Sequence, residues 1–154
     1  MKTFIALIAL ITVAAAAYFG HNYTQTYLGK EAIKALSFPK YTMQDGLELA
    51  KSENKLVLAD YSAIWCPTCR RLDKEVFADE TVSKTISDRF VYVRLEYDSK
   101  DGVAFAKKHD LQGFPRIIVL DTAGEKIVQM PLIFDPMEYA ANLMNVVQLG
   151  EPAE

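Results

Sequence analysis

Leu56-Val57-Leu58-Ala59-Asp60-Tyr61-Ser62-Ala63-Ile64-Trp65-Cys66-Pro67-Thr68-Cys69 is the stretch on which the reading of this chain turns, and it holds the only two cysteines in the 154 residues. Its apolar start lacks alternation and reads as a buried strand over residues 55–61. After the cysteines, Cys69, Leu72 and Val76 share one face at helical spacing, which predicts a helix from 66 to about 77. A strand, a short turn and a helix opening on Cys-x-x-Cys follow. A sulfur at a helix N-terminus meets unpaired N–H groups and the positive end of the helix dipole, and both favour the thiolate that attacks disulfides. Residues three apart on a helix are neighbours, so the two sulfurs can also join.

Two duller readings carry less weight. A structural disulfide across so short a loop removes little chain entropy. Structural zinc takes four Cys or His ligands, and only His21 and His109 accompany the cysteines, at spacings unlike a ligand set. The pair therefore reads as a two-electron switch, with no metal and no dissociable cofactor. His109 reads as a helix-surface residue.

Residues 3–20 are apolar throughout, with Lys2 before them and Lys30 the next charge. They read as an export signal or an N-terminal anchor, which places the body outside the cytoplasm, soluble or tethered. Residues 4–13 have the length of a signal-peptide core, and Ala15-Ala16-Ala17 offers a cleavage site. Taken whole, the segment reaches the ~18 residues that span a bilayer. Both readings stay open. The expected organisation is a leader over 1–20, a spacer or short helix over 21–41, a folded domain over 42–149 and a frayed tail over 150–154. Half of the residues are apolar, enough for a full core without disulfide staples, and the net charge is −3. With no basic–aromatic patch, nucleic-acid binding finds no support.

Along the domain, Thr42 is set to cap a helix through about residue 53, and Asp79 starts another with Val82 and Ile86 inward. Residues 90–95 and 116–120 read as strands. Between them a helix ends near His109 with Val103 and Ala106 on one side. Residues 125–130 read as a more exposed strand after a turn at Thr122-Ala123-Gly124, and Asp135 caps a last helix. That helix has two partly apolar faces, one through Tyr139, Leu143 and Val146 and one through Met137, Ala141 and Met144. The order predicts an α/β fold with helices flanking a central mixed sheet.

With Asp60, the Trp65–Cys69 motif, Arg94 and Gly113-Phe114-Pro115 before residues 116–120, the chain resembles thioredoxin-fold proteins over about residues 42–148. Ala50-Lys51, Lys55-Leu56-Val57-Leu58 and Glu75-Val76-Phe77 are similar to the exported thioredoxin-like branch that includes the C-terminal domain of the membrane electron transporter DsbD.

The resemblance implies a thioredoxin fold and thiol:disulfide oxidoreductase activity on protein thiols and disulfides. It makes Cys66 the exposed nucleophile and Cys69 the resolving thiol. Trp65, Pro67 and Thr68 then shape the docking surface. Pro115 is expected as a cis-proline facing the disulfide, with the Phe114 backbone pairing with an extended partner. Asp60 is expected as a desolvated base for Cys69, with Arg94 beside it holding a firm charge.

Arg116 departs from the small polar residue or Thr usual after that proline, and puts a cation near the site. Gln129-Met130-Pro131 stands where a glycine usually flanks the groove. Pro67 is shared with oxidants and glutaredoxins. Thr68 lacks the imidazole of strong oxidants, and Asp60 resembles reductants. The reading taken is a reductase fed by a DsbD-type membrane electron donor, with an oxidant or isomerase, or a non-catalytic binding module, as rivals.

Overall fold

The computed structural model describes residues 2–150, and side chains from 3 to 148. A long helix α1 (Lys2–Lys34) leads to α2 (Met43–Glu53), β1 (Leu56–Ser62), α3 (Pro67–Leu72), α4 (Glu80–Arg89), β2 (Phe90–Glu96), α5 (Lys100–His109), β3 (Arg116–Leu120), β4 (Lys126–Gln129) and α6 (Pro136–Gly150). The strands form one sheet in the order β2-β1-β3-β4. β1 runs parallel to β2, β3 lies antiparallel to β1, and β4 lies antiparallel to β3. This is the mixed sheet of the thioredoxin fold.

Alternation along the strands sorts the core into two layers. Val57 and Ala59 of β1, with Val91, Val93 and Leu95 of β2, face Ala50 of α2 and Phe105 of α5. Leu58 and Tyr92 face the opposite layer, where α3 and the turn that continues it, α4 and α6 supply Leu72, Val76, Ile86, Tyr139 and Leu143. Caps start the helices where short polar side chains precede apolar runs. Thr42 accepts from the Asp45 N–H, Asp79 from Thr81 and Val82, Ser99 from Gly102, and Asp135 from Glu138. The exposed side of α6 shows Met137 and Met144, as its two-faced pattern predicts.

Several expectations need correction. The leader and the first two thirds of the segment read as a spacer or short helix are one unbroken helix, Lys2–Lys34, and the chain beyond it does not hang free. Leu36 and Phe38 are buried against the Tyr92 layer, and Tyr41 bridges to Val93, so the folded body takes in residues well before 42. The helix after the cysteines is not uniform. Its last turn, Asp73–Phe77, is π-helical, closed by Ala78 N–H to Asp73 C=O at 3.0 Å. On α5 the inner residues are Gly102 and Phe105, while Val103 is exposed. His109 is partly buried, its ring on Phe105 at 4.5 Å, and burial lowers its pKa. Of the expected frayed tail, residues 151–154 lie outside the described residues.

Candidate active site

β1 ends at Ser62, and the chain turns through Ala63, Ile64 and Trp65 into α3. Cys66 sits at the N-cap with extended backbone, and its Sγ accepts the Cys69 N–H at 3.1 Å. Both cysteines are free thiols. Pro67 takes the first helical position, where its missing N–H removes nothing. Pro67 and Thr68 are exposed.

Cys66 was expected to be exposed, but it is buried at 5%, against 1% for Cys69. The cause is aromatic cover from outside the motif: Ala63, Cys66 and Cys69 form one apolar cluster with Tyr97 and Phe114 packed on it. Cys69 lies deeper, and its pKa is pushed up first by burial and then by its hydrogen bond with Cys66. It is a thiol at neutral pH.

Trp65 is the exposed member of an aromatic group, at 39%. It meets Tyr97 and Phe114 edge to face at 5.7 and 5.5 Å. Phe114 also meets Tyr61 at 6.3 Å. The Phe114–Pro115 peptide bond is cis and Pro115 is buried. Arg116 turns its guanidinium onto this same loop, donating to the carbonyls of Pro115 at 3.1 Å and Gln112 at 2.8 Å. Its charge therefore braces the Pro115 loop.

Behind the cysteines lies a buried ionic cluster. The parallel register places Asp60 opposite Arg94. Arg94 Nη1 donates to Asp60 Oδ2 at 2.8 Å and to Asp73 Oδ1 at 3.0 Å, and the Tyr92 hydroxyl donates to Asp60 Oδ2 at 2.6 Å. Arg94 Nε reaches Glu96 Oε1 at 3.2 Å, and Glu96 Oε2 accepts the Ile64 N–H at 2.8 Å. One guanidinium thus ties two carboxylates under the helix to the loop that carries Trp65 and Cys66. Burial opposes the Arg94 charge, but Asp60, Tyr92 and Asp73 more than offset it and hold it charged. Asp73 is raised to about 7, chiefly by burial, with Arg94 pulling it back and Asp60 pushing it up. Asp60 Oδ1 is buried with no hydrogen-bond partner.

Asp60 and Arg94 come together as the resemblance implied, while Asp73, Glu96, Tyr92 and Tyr97 were not anticipated. Asp73 did leave a signal, since it follows Cys69 by four residues and so shares its helix face. Glu96 follows Arg94 by two and so shares its strand face. Among the described residues, no group of three His, Cys, Asp or Glu side chains is placed to hold a metal ion.

Comparison with known proteins agrees with this architecture. A family model described as thioredoxin-like matches residues 39–122. The thiol:disulfide interchange protein DsbD of Colwellia psychrerythraea is 28% identical over 90 residues, 56% of this chain and 15% of that protein. The DsbD of Yersinia enterocolitica is 30% identical over 98 residues, 62% of this chain and 17% of that protein. The chain therefore spans under a fifth of the length of these two relatives. A Thermus thermophilus thioredoxin superposes with TM-score 0.67 at 24% identity, covering 74% of this chain and 90% of its own. The oxidised C-terminal domain of Neisseria meningitidis DsbD gives 0.56 at 18%, covering 67% and 91%. With its sheet order, its capped Cys-x-x-Cys helix and a family model matching more than half of its length, the chain belongs to the thioredoxin-like family.

Proposed function

We propose that this thioredoxin-like thiol:disulfide oxidoreductase reduces disulfides of protein partners outside the cytoplasm through its Cys66–Cys69 dithiol. The observation that carries this reading is the asymmetry of the two sulfurs at one helix N-terminus. Cys66 caps the helix as an acceptor, and Cys69 is held as a thiol beneath it. The Cys66 thiolate attacks one sulfur of a partner disulfide. That bond breaks, a mixed disulfide forms, and the released partner sulfur takes up a proton. Cys69 then loses its proton and attacks Cys66 Sγ. The second partner sulfur leaves as a thiol, and two electrons have passed from Cys66–Cys69 to the partner. The dithiol is itself the redox centre.

Asp60 is the base for the second step. Its Oδ2 is occupied by Tyr92 and Arg94, while Oδ1 is buried and unpartnered, able to accept a proton. Trp65, Pro67 and Thr68 meet the partner, whose extended segment pairs with the Phe114 backbone beside Pro115. Thr68 is exposed and carries no charge beside Cys66, so the reduced form lacks the cationic support found in strong oxidants. Electrons return from another protein dithiol, of the kind a DsbD-type membrane transporter presents.

The test is reduction of a protein disulfide substrate by the full chain in detergent, with dithiothreitol as the electron source. The wild type turns over, Cys66→Ser does not, and Cys69→Ser accumulates a mixed disulfide with the substrate. A Cys66→Ser protein with unchanged rate defeats the reading.

A further inference from the structure

α1 is more than a tether. Its apolar half is exposed on every side, with Phe4, Ile8 and Ile11 among the bare side chains, and the helix is long and apolar enough to cross a membrane. Tyr18, Phe19 and Tyr23 follow at 64, 70 and 77% exposure, a collar of the kind found at a bilayer surface. The helix then continues without a break into the folded body. Gly29 lies so close to the Ile64 carbonyl that an added Cβ would stand 1.8 Å from its oxygen, and Ala32 is fully buried. Gln25 Oε1 accepts Arg70 Nη1 at 2.6 Å, one residue past Cys69. Asn22, Gln25, Gly29 and Ala32 mark one stripe at helical spacing, turned toward α3.

This helix also walls the active site. Tyr18, Asn22 and Thr26, one face of α1, line a cavity of about 440 Å³ with Trp65 and Tyr97, the aromatics beside the cysteines. Trp65 thus borders the collar that marks the bilayer surface. From the collar at residues 18–23 to Gly29 is six to eleven residues, about 9–16 Å of helix. Gly29 touches Ile64, two residues before Cys66.

We infer that α1 is a rigid strut that fixes the dithiol about 10–15 Å above the membrane surface, with its Trp65 side toward it, so that its electron donor is a cysteine pair on a membrane protein held at that height. The inference rests on the proposed reductase reading and supplies its donor. The donor dithiol attacks the Cys66–Cys69 disulfide, a mixed disulfide forms and resolves, and the donor is left oxidised and this protein reduced. No further oxidant or reductant enters. A flexible tether would let the domain meet partners at any height. A continuous helix docked at Gly29 does not.

The probe is a set of transmembrane peptides in phosphatidylcholine vesicles, each carrying a reduced Cys-x-x-Cys about 5, 15 or 30 Å outside the bilayer on a helix extended at 1.5 Å per residue. The full chain, oxidised, is reconstituted with each peptide, and its reduction is followed by thiol labelling. Reduction is expected to peak at the middle height, by about tenfold over the others, because a rigid strut concentrates the site there. A Gly-Ser segment inserted between Gly20 and His21 flattens the profile. Seven alanines at the same point, two helical turns, keep the face and move the optimum outward by about 10 Å. A wild-type profile without a maximum, or one that neither insertion changes, overturns the inference, and so does removal of residues 3–17 in the mature protein. Reduction of a soluble disulfide substrate, measured alongside, separates the failures. If that reaction is also absent, the oxidoreductase reading fails as well; if it is present, only the strut does.

Discussion

Arg94→Met would leave two buried carboxylates, Asp60 and Asp73, each 1% exposed, without their shared cation. Arg94 is itself only 7% exposed, so solvent neither screens these contacts much nor replaces them. Breaking a buried ion pair by removing one partner costs about 3–5 kcal/mol, whereas replacing the whole cluster with apolar groups need not. For a chain of this size each kcal/mol moves Tm by roughly 2–4 °C, so the variant should melt about 10–15 °C lower near pH 8.

The loss must grow with pH. In the wild type Asp73 loses its proton near 7 and is then held by Arg94; without that cation its pKa rises further. At pH 5 Asp73 is protonated in both proteins, so its share of the difference is absent there. At pH 8 the variant keeps a proton the wild type has released, or carries an uncompensated charge. Thermal unfolding of both proteins in one detergent, at pH 5, 6, 7 and 8, measures the gap. A gap below about 1 kcal/mol at pH 8, or one that narrows as pH rises, would refute the view that Arg94 neutralises both carboxylates.

Asp73→Asn tests the same cluster from the other side. An acid raised from 3.8 to about 7 keeps its proton in the folded state where the unfolded chain has lost it, so wild-type stability falls as pH rises through that window, by of order 4 kcal/mol. The Asn variant should flatten that fall in urea titrations run from pH 4 to pH 8, and an unchanged slope would assign it elsewhere. Asp60→Asn should slow resolution of the mixed disulfide by about 10²-fold while leaving its formation near wild-type rate, as rapid quench with thiol labelling reports; equal slowing of both steps would remove Asp60 as the base. Gly29→Ala should lower Tm by several degrees, because a methyl group forced against the Ile64 carbonyl overpacks the joint by about 1–3 kcal/mol. It should also speed amide exchange around Ile64, and a neutral effect on both would mean that α1 does not bear on the active-site loop.

The parts of this site that could be read from sequence are those written locally. The run Leu56-Val57-Leu58-Ala59 leading to two lone cysteines specifies strand, turn and helix by apolar pattern and N-cap chemistry alone. Asp60 and Arg94 were legible only through the resemblance to thioredoxin-fold proteins, because the parallel register that joins them is not written in either strand alone. Asp73 left only its place on the helix face of Cys69, a weak signal, since a single Asp in a helix ordinarily faces solvent and only Arg94, 21 residues away, makes its burial tolerable. The burial of Cys66 is decided by Tyr97 and Phe114, which arrive from two other loops. The unity of α1 was hidden by Gly20, by Gly29 and by the polar run between them. Gly29 weakens a helix by propensity, yet here the Ile64 carbonyl requires it. Local patterns record which elements form; close approaches between distant elements leave no periodic trace.

The reduction potential of the Cys66–Cys69 couple, measured on the full chain in lipid nanodiscs against dithiothreitol and glutathione buffers, tests the central claim most directly. A reductase site, with Cys69 held as a thiol and no cation from Thr68, is expected near the roughly −270 mV of thioredoxin. A potential near the −120 mV or so of DsbA would contradict the account and make this protein a source of disulfides rather than of electrons.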